Sequence, residues 1–219
     1  MKVNRPQFGT CLAVVKDDDG YLYFASDRRE SWGYHKAAKM EGTKSSFRNG
    51  ILLMGTGNGF LCSEVIQYMP VVKLPKKINP DVYMHDHFMP NLLRYFKKEN
   101  LLHPKERRLM APDSVDDYMA IILVGVGDAL YEVIVSNEHI QFDRATTPWA
   151  HGCGGSLAWG SLLTTQYLND TQQLVELLDP TERLLIALDQ AASVSPGCDN
   201  NVDIISNNPK FKATYLELD

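Results

Sequence analysis

The chain has 219 residues, 44% hydrophobic and 22% charged, with a formal net charge of -5. This is the composition of one mid-sized globular domain or two small ones. The acidic balance and the lack of a long basic run argue against nucleic acid as the main partner, and no apolar run approaches membrane-spanning length.

The segment MKVNRPQFG is short and polar, carries Pro6 and lacks the apolar core of a signal peptide. It reads as a leader or propeptide, residues 1–9, ahead of a single domain over 10–219. Gly9 to Arg29 then reads as a β-hairpin. Thr10 to Lys16 is one apolar strand, Asp17-Asp18-Asp19-Gly20 has turn chemistry, and Tyr21 to Ser26 is the return strand. An antiparallel pairing brings Thr10 to the same sheet end as Asp27 and Arg29. A hydroxyl, a carboxylate and a guanidinium then share one edge. Four cysteines, Cys11, Cys62, Cys153 and Cys198, are widely spaced without a CxxC pair. They read as reduced thiols of an intracellular, cytoplasmic protein.

The polar stretch after Arg29 predicts a loop or short irregular strands. Asn49-Gly50 predicts a hairpin turn, Ile51 to Met54 a buried strand, and the Gly55–Gly59 cluster a tight passage into a helix over about 57–69. The glycine spacing fits neither G-x-G-x-x-G nor a P-loop, so tight packing is the reading, not a phosphate cradle. A second helix is predicted over about 81–99, with Pro90 as a kink or its true start. His85 and His87 fall on different helix faces and are poor metal co-ligands, so neither a metal nor another cofactor is expected. Residues 103–114 form a polar loop. Strands are predicted over 118–125, 129–135 and 139–142, then a helix over 156–168, a short helical turn within 171–178, and a helix that starts with Asp179-Pro180 and stops at Ser195-Pro196-Gly197. Closing strands lie over 202–206 and 213–218. Segregated strand and helix blocks suggest an α+β fold, two face-to-face sheets with helices outside.

Three sets of residues resemble one family. They are T-x-L-A-V-V-K, D-G and S-D-R-R in the first hairpin; Lys44, Asn49-Gly50 and Gly55-Thr-Gly57; and Gly152-Cys153-Gly154-Gly155 leading into a helix. Together they resemble a proteasome β-type subunit, an N-terminal-nucleophile (Ntn) hydrolase. The resemblance spans nearly the whole chain in short blocks, and residues 73–117 and 137–151 are not diagnostic. It implies a four-layer αββα sandwich and a threonine-type endopeptidase that is freed by autoprocessing of the Gly9-Thr10 bond. It further implies a homo-oligomeric ring that encloses the sites, fed with unfolded polypeptide by an ATPase partner.

The chemistry is specific. A freed Thr10 supplies the attacking hydroxyl, and its α-amine, with an ordinary pKa of about 7.7–8.0, serves as base. The resemblance implies Lys44 as the lysine that lowers both pKa values, with Lys39 as the alternative. It implies Asp27 as the carboxylate that holds the lysine and Gly57 as the site of oxyanion donors. Arg29, Ser195 and Cys198 are implied as supporting residues. Departures from the family pattern cluster in that shell. Cys153 stands where the family has a serine, and Ser195 and Cys198 stand where it has an Asp-x-x-Ser pair. A thiol is the weaker hydrogen-bond partner, and both cysteines equally suit small buried packing positions. A non-catalytic ring or scaffold subunit and an Ntn amidohydrolase acting on a small amide therefore stay open as alternatives.

Overall fold

The computed structural model describes residues 7–8, 11–31, 37–39, 43–99, 101, 119–136, 139–173, 176–195 and 197–217. Gly9, Thr10 and the polar loop over 103–114 lie outside them, as do the side chains of Arg29 and Lys39.

The first hairpin is β2 (Leu12–Lys16) and β3 (Leu22–Asp27), in register from Leu12 opposite Ser26 to Lys16 opposite Leu22. Its turn closes with Gly20 N donating to Asp17 O at 3.0 Å, and Gly20 takes a φ of +88° that favours glycine. Alternation sends Leu12, Val14, Leu22 and Phe24 to one face and Ala13, Val15, Tyr23 and Ala25 to the other. Both faces are buried. With β11 (Trp149–His151), β12 (Asn201–Ser206) and β13 (Thr214–Glu217) the hairpin builds a five-stranded sheet in the order β11-β2-β3-β12-β13.

The other sheet is eight-stranded. It contains β1 (Gln7–Phe8), β4 (Arg29–Ser31), β5 (Ala37–Lys39), β6 (Ser45–Arg48), β7 (Ile51–Asn58), β8 (Ala120–Val126), β9 (Ala129–Val135) and β10 (Ile140–Ala145). Its order is β10-β9-β8-β7-β1-β4-β5, with β6 also on β7. One edge of β7 is filled by β8. The other is shared: β6 covers Ile51 to Met54, the Lys44 carbonyl accepts from Gly55 N at 3.2 Å, and β1 covers Gly57 and Asn58. Lys44 therefore sits in the break between two strand partners.

Three apolar clusters define the layers. Leu12, Val14, Leu22 and Phe24 meet Leu52, Met54, Leu123 and Leu130 between the sheets. On the outside of the large sheet lie α1 (Gly59–Ser63), α2 (Pro80–Tyr83) and α3 (Met89–Lys98), burying Phe88, Leu92 and Phe96. Each such side chain contributes about 1.5–3 kcal/mol on burial. On the outside of the small sheet lie α4 (Gly155–Asp170) and α5 (Pro180–Val194), with Ala158, Leu162, Leu184 and Leu188 inward. This is the expected four-layer αββα sandwich. No helix among the described residues is long and apolar enough to cross a membrane.

Several local expectations are corrected. The glycine cluster belongs to β7, which stays extended through Asn58, and Asn58 then caps α1 by accepting from Leu61 N at 3.1 Å. Gly55 permits this because Cys62, Ile66 and Ile122 press against it. The first helix continues as a π turn over Glu64–Tyr68, and a second π turn, Met84–Phe88, joins α2 to α3. Pro90 stands in the first turn of α3, which starts at Met89, in line with the reading of Pro90 as the start of that helix. Met89 N bonds five residues back to Met84 O, so the wider turn absorbs the donor that Pro90 lacks. The described residues of 171–178 are not helical, because Gln172 turns left-handed at a φ of +51°.

Candidate active site

Asp27 ends β3, where the hairpin brings it opposite the residue after Thr10. Its amide donates to Cys11 O at 3.2 Å. Lys44 reaches it from the break beside β7. Lys44 Nζ donates to Asp27 Oδ1 at 2.9 Å, and neither side chain has any exposed surface. The second carboxylate oxygen accepts from Asp199 N at 3.0 Å. An ammonium and an amide hold the two carboxylate oxygens by charge-assisted hydrogen bonds. Lys44, not Lys39, is thus the described cation at Asp27.

Cys153 lies in the turn before α4, and Cys198 in the loop after α5. Their sulfurs are 3.4 Å apart, and the Ser195 hydroxyl lies within hydrogen-bonding reach of both. The Cys198 thiol also touches Cys11. That contact, with burial, pushes its pKa up to about 12. The hydrogen bond to Cys198 and burial raise the Cys153 thiol too. Asp27 acts on both thiols as a nearby negative charge. Gly154 packs into the same place, where an added Cβ would stand 2.6 Å from Cys198 Sγ and 2.7 Å from Ala191 Cβ.

Gly57 lies at the far end of β7 with a φ of +94°, between Ala120 of β8 and Phe8 of β1. Gly57 is thus in register with the strand that precedes Thr10 in the chain. Asp27, Lys44, Cys153, Ser195 and Cys198 therefore gather at one end of the small sheet. Arg29 joins that region by its backbone in β4.

No protein-family model matches the sequence, and no curated protein sequence matches it. Solved structures do. BPH from Thiobacillus denitrificans, in complex with epoxomicin, superposes with a TM-score of 0.62 at 15% identity, over 90% of this chain and 97% of that one. A mutant Anbu from Hyphomicrobium sp. strain MC1 gives a TM-score of 0.60 at 14% identity, over 96% and 88%. Eukaryotic HslV from Trypanosoma brucei gives 0.52 at 13% identity, over 90% and 98%. The fold is that of a proteasome-type Ntn hydrolase subunit.

Within this proteasome-type fold, the sequence pattern misses three residues that the structure adds. Asp199 lends Asp27 its amide, while its carboxylate is taken up by Asn201 N and Nδ2 at 3.3 and 2.9 Å. Arg28 has its side chain at the edge of the described site. Its Nε lies 3.2 Å from Asp203 Oδ2 without hydrogen-bond alignment, and its guanidinium stacks 4.7 Å over Tyr215. Burial raises the Asp203 pKa, while Arg28 and Lys44 offset it. The signal available in sequence was parity: Ser26, Arg28 and Asp203 share one face, because Asp203 pairs with Ser26.

Proposed function

We propose that the chain is a threonine-type endopeptidase of the proteasome β type, with residues 1–9 as a propeptide and 10–219 as its one catalytic domain. The observation that carries this reading is the water-excluded Asp27–Lys44 pair, across the hairpin from Cys11, the residue that follows Thr10 in the chain. A surface pair would be solvated and weak. A buried ammonium fixed by a carboxylate is instead held in one place, and the low-dielectric surroundings screen what remains of its field less than water would. That field lowers the pKa of a nearby hydroxyl and α-amine.

In the proposed reaction, cleavage of the Gly9-Thr10 bond frees the Thr10 amine. The hydroxyl attacks a peptide carbonyl, and the amine takes its proton and returns it to the leaving nitrogen. Amides at Gly57 receive the oxyanion. Water then releases the acyl group from Thr10. Cys153, with Ser195 and Cys198, would line the route by which the amine exchanges protons. Self-association into a homo-oligomer, with an ATPase supplying unfolded substrate, completes the reading. It is supported by the apolar outer face of α4, where Trp159, Leu163 and Tyr167 are exposed.

A non-catalytic subunit is the second reading, favoured by thiols with raised pKa values where a proton relay would need readily exchanging groups. Intact mass of the native chain and of Thr10→Ala separates the two. The peptidase reading expects a native product that begins at Thr10, an uncut variant, and hydrolysis of fluorogenic peptides by the native protein alone. A native, assembled product that keeps residues 1–9 overturns it.

A further inference from the structure

Three thiols gather at the site. Cys153 Sγ and Cys198 Sγ are 3.4 Å apart, and Cys11 lies behind Cys198, fully buried. The pair differs in access: Cys153 is exposed, whereas Cys198 is 4% exposed. An oxidant from solvent can therefore reach one sulfur with the second already in contact. Both positions also adjoin glycines. Cys153 sits between Gly152, at a φ of +101°, and Gly154, and Cys198 follows Gly197.

We propose that Cys153 and Cys198 form an oxidation site that a hydroperoxide closes into an intramolecular disulfide. Cys153, as thiolate, attacks a peroxide oxygen. The O–O bond breaks, Cys153 becomes a sulfenic acid, and the leaving hydroxide takes a proton to become water. The Cys198 sulfur then attacks Cys153 Sγ. The S–S bond forms, the S–O bond breaks, and the departing hydroxide takes the Cys198 proton as a second water. Each sulfur loses one electron, and the peroxide gains two. The sulfurs have to close from 3.4 Å to about 2.05 Å.

The raised thiol pKa values set the rate, because little thiolate is present at neutral pH. Oxidation is slower than for a free thiol, and the disulfide is selective for contact rather than reactivity. Its position gives it a consequence. It would tie the turn before α4 to the loop before β12, whose Asp199 amide holds Asp27. The proposal stands on the sulfur geometry and does not need the peptidase reading.

The test uses the full chain, reduced, freed of reductant, treated with hydrogen peroxide, then denatured and alkylated. Of its four cysteines, two should escape alkylation, and peptide mapping should join Cys153 to Cys198. In Cys153→Ser, the three remaining thiols should all stay alkylatable. Four alkylatable thiols after exhaustive peroxide treatment of the native chain overturn the proposal. So does a native bridge from Cys198 to Cys11 or between two chains, or Cys153 driven to sulfinic acid beside an intact Cys198. The readout is mass, so a chain without peptidase activity tests it equally well.

Discussion

Asp27 and Lys44 meet at 2.9 Å with no surface exposed on either side chain. Desolvating both ions is costly, and a buried pair is seldom the most stable choice for its volume. Breaking it is worse, because one charge is left without its partner. Asp27→Ala should cost about 3–5 kcal/mol in urea unfolding. The double variant Asp27→Leu with Lys44→Met should recover most of that stability while peptide hydrolysis stays absent. A double variant no more stable than Asp27→Ala would show that the pair serves packing rather than chemistry.

Gly57 is held at a φ of +94°, and an added Cβ would stand 2.4 Å from the Met119 carbonyl. Neither can relax without parting β7 from β8. Gly57→Ala should lose about 1–3 kcal/mol from backbone conformation alone, with the steric clash added to it. Gly55→Ala should lose less, since its neighbours at 3.0 Å are side-chain ends that can move. Thermal unfolding of the two variants side by side checks the order.

Glu132 on β9 faces Asp143 on β10 as a direct register partner. Burial first, and the Asp143 charge second, raise its pKa. A carboxylate raised on folding destabilises the native state above its folded pKa, and the penalty fades as pH falls through that value. Glu132→Gln should therefore be more stable at neutral pH, by up to about 1 kcal/mol for removal of a like-charge pair. The advantage should vanish at about pH 3, below the ordinary glutamate range, where Glu132 is protonated. Denaturant titrations at the two pH values check it.

Trp159, Leu163 and Tyr167 repeat every fourth residue of α4 and are 49, 42 and 59% exposed. The helix carries one charged residue, Asp170, at its end. A helix so poor in charge is normally covered on all sides. Leu163→Glu should weaken self-association at least tenfold with the monomer still folded. Light scattering over a dilution series reads this, and an unchanged mass at every concentration would remove α4 from the contact.

The layers were legible in the sequence because strand and helix blocks are segregated and the first hairpin is apolar on both faces, as a sheet buried on both sides needs. Leu12, Val14, Leu22 and Phe24 specify one register, since a one-residue slip would carry them to the wrong face. The Asp27–Lys44 pair was reachable through the order of short motifs. The π turns were not legible, because they depend on where tertiary packing leaves room beside Pro90. Nor was the Asp199 contact, because a backbone amide carries no side-chain signal. The Cys153–Cys198 contact joins segments 45 positions apart, and no spacing rule connects them.

Strand β1 has a further consequence. It is the seam between β7 and the β4–β5 hairpin, joined to β7 at Phe8 and Gly57 and to β4 at Gln7 and Ser31. Loss of residues 1–9 would leave a slit one strand wide, flanked on both sides by unpaired amides and carbonyls. Those rails are about 9–10 Å apart, twice the usual strand spacing. An extended chain entering that slit would meet the hydrogen-bond positions that Gln7 and Phe8 now use, antiparallel to β7.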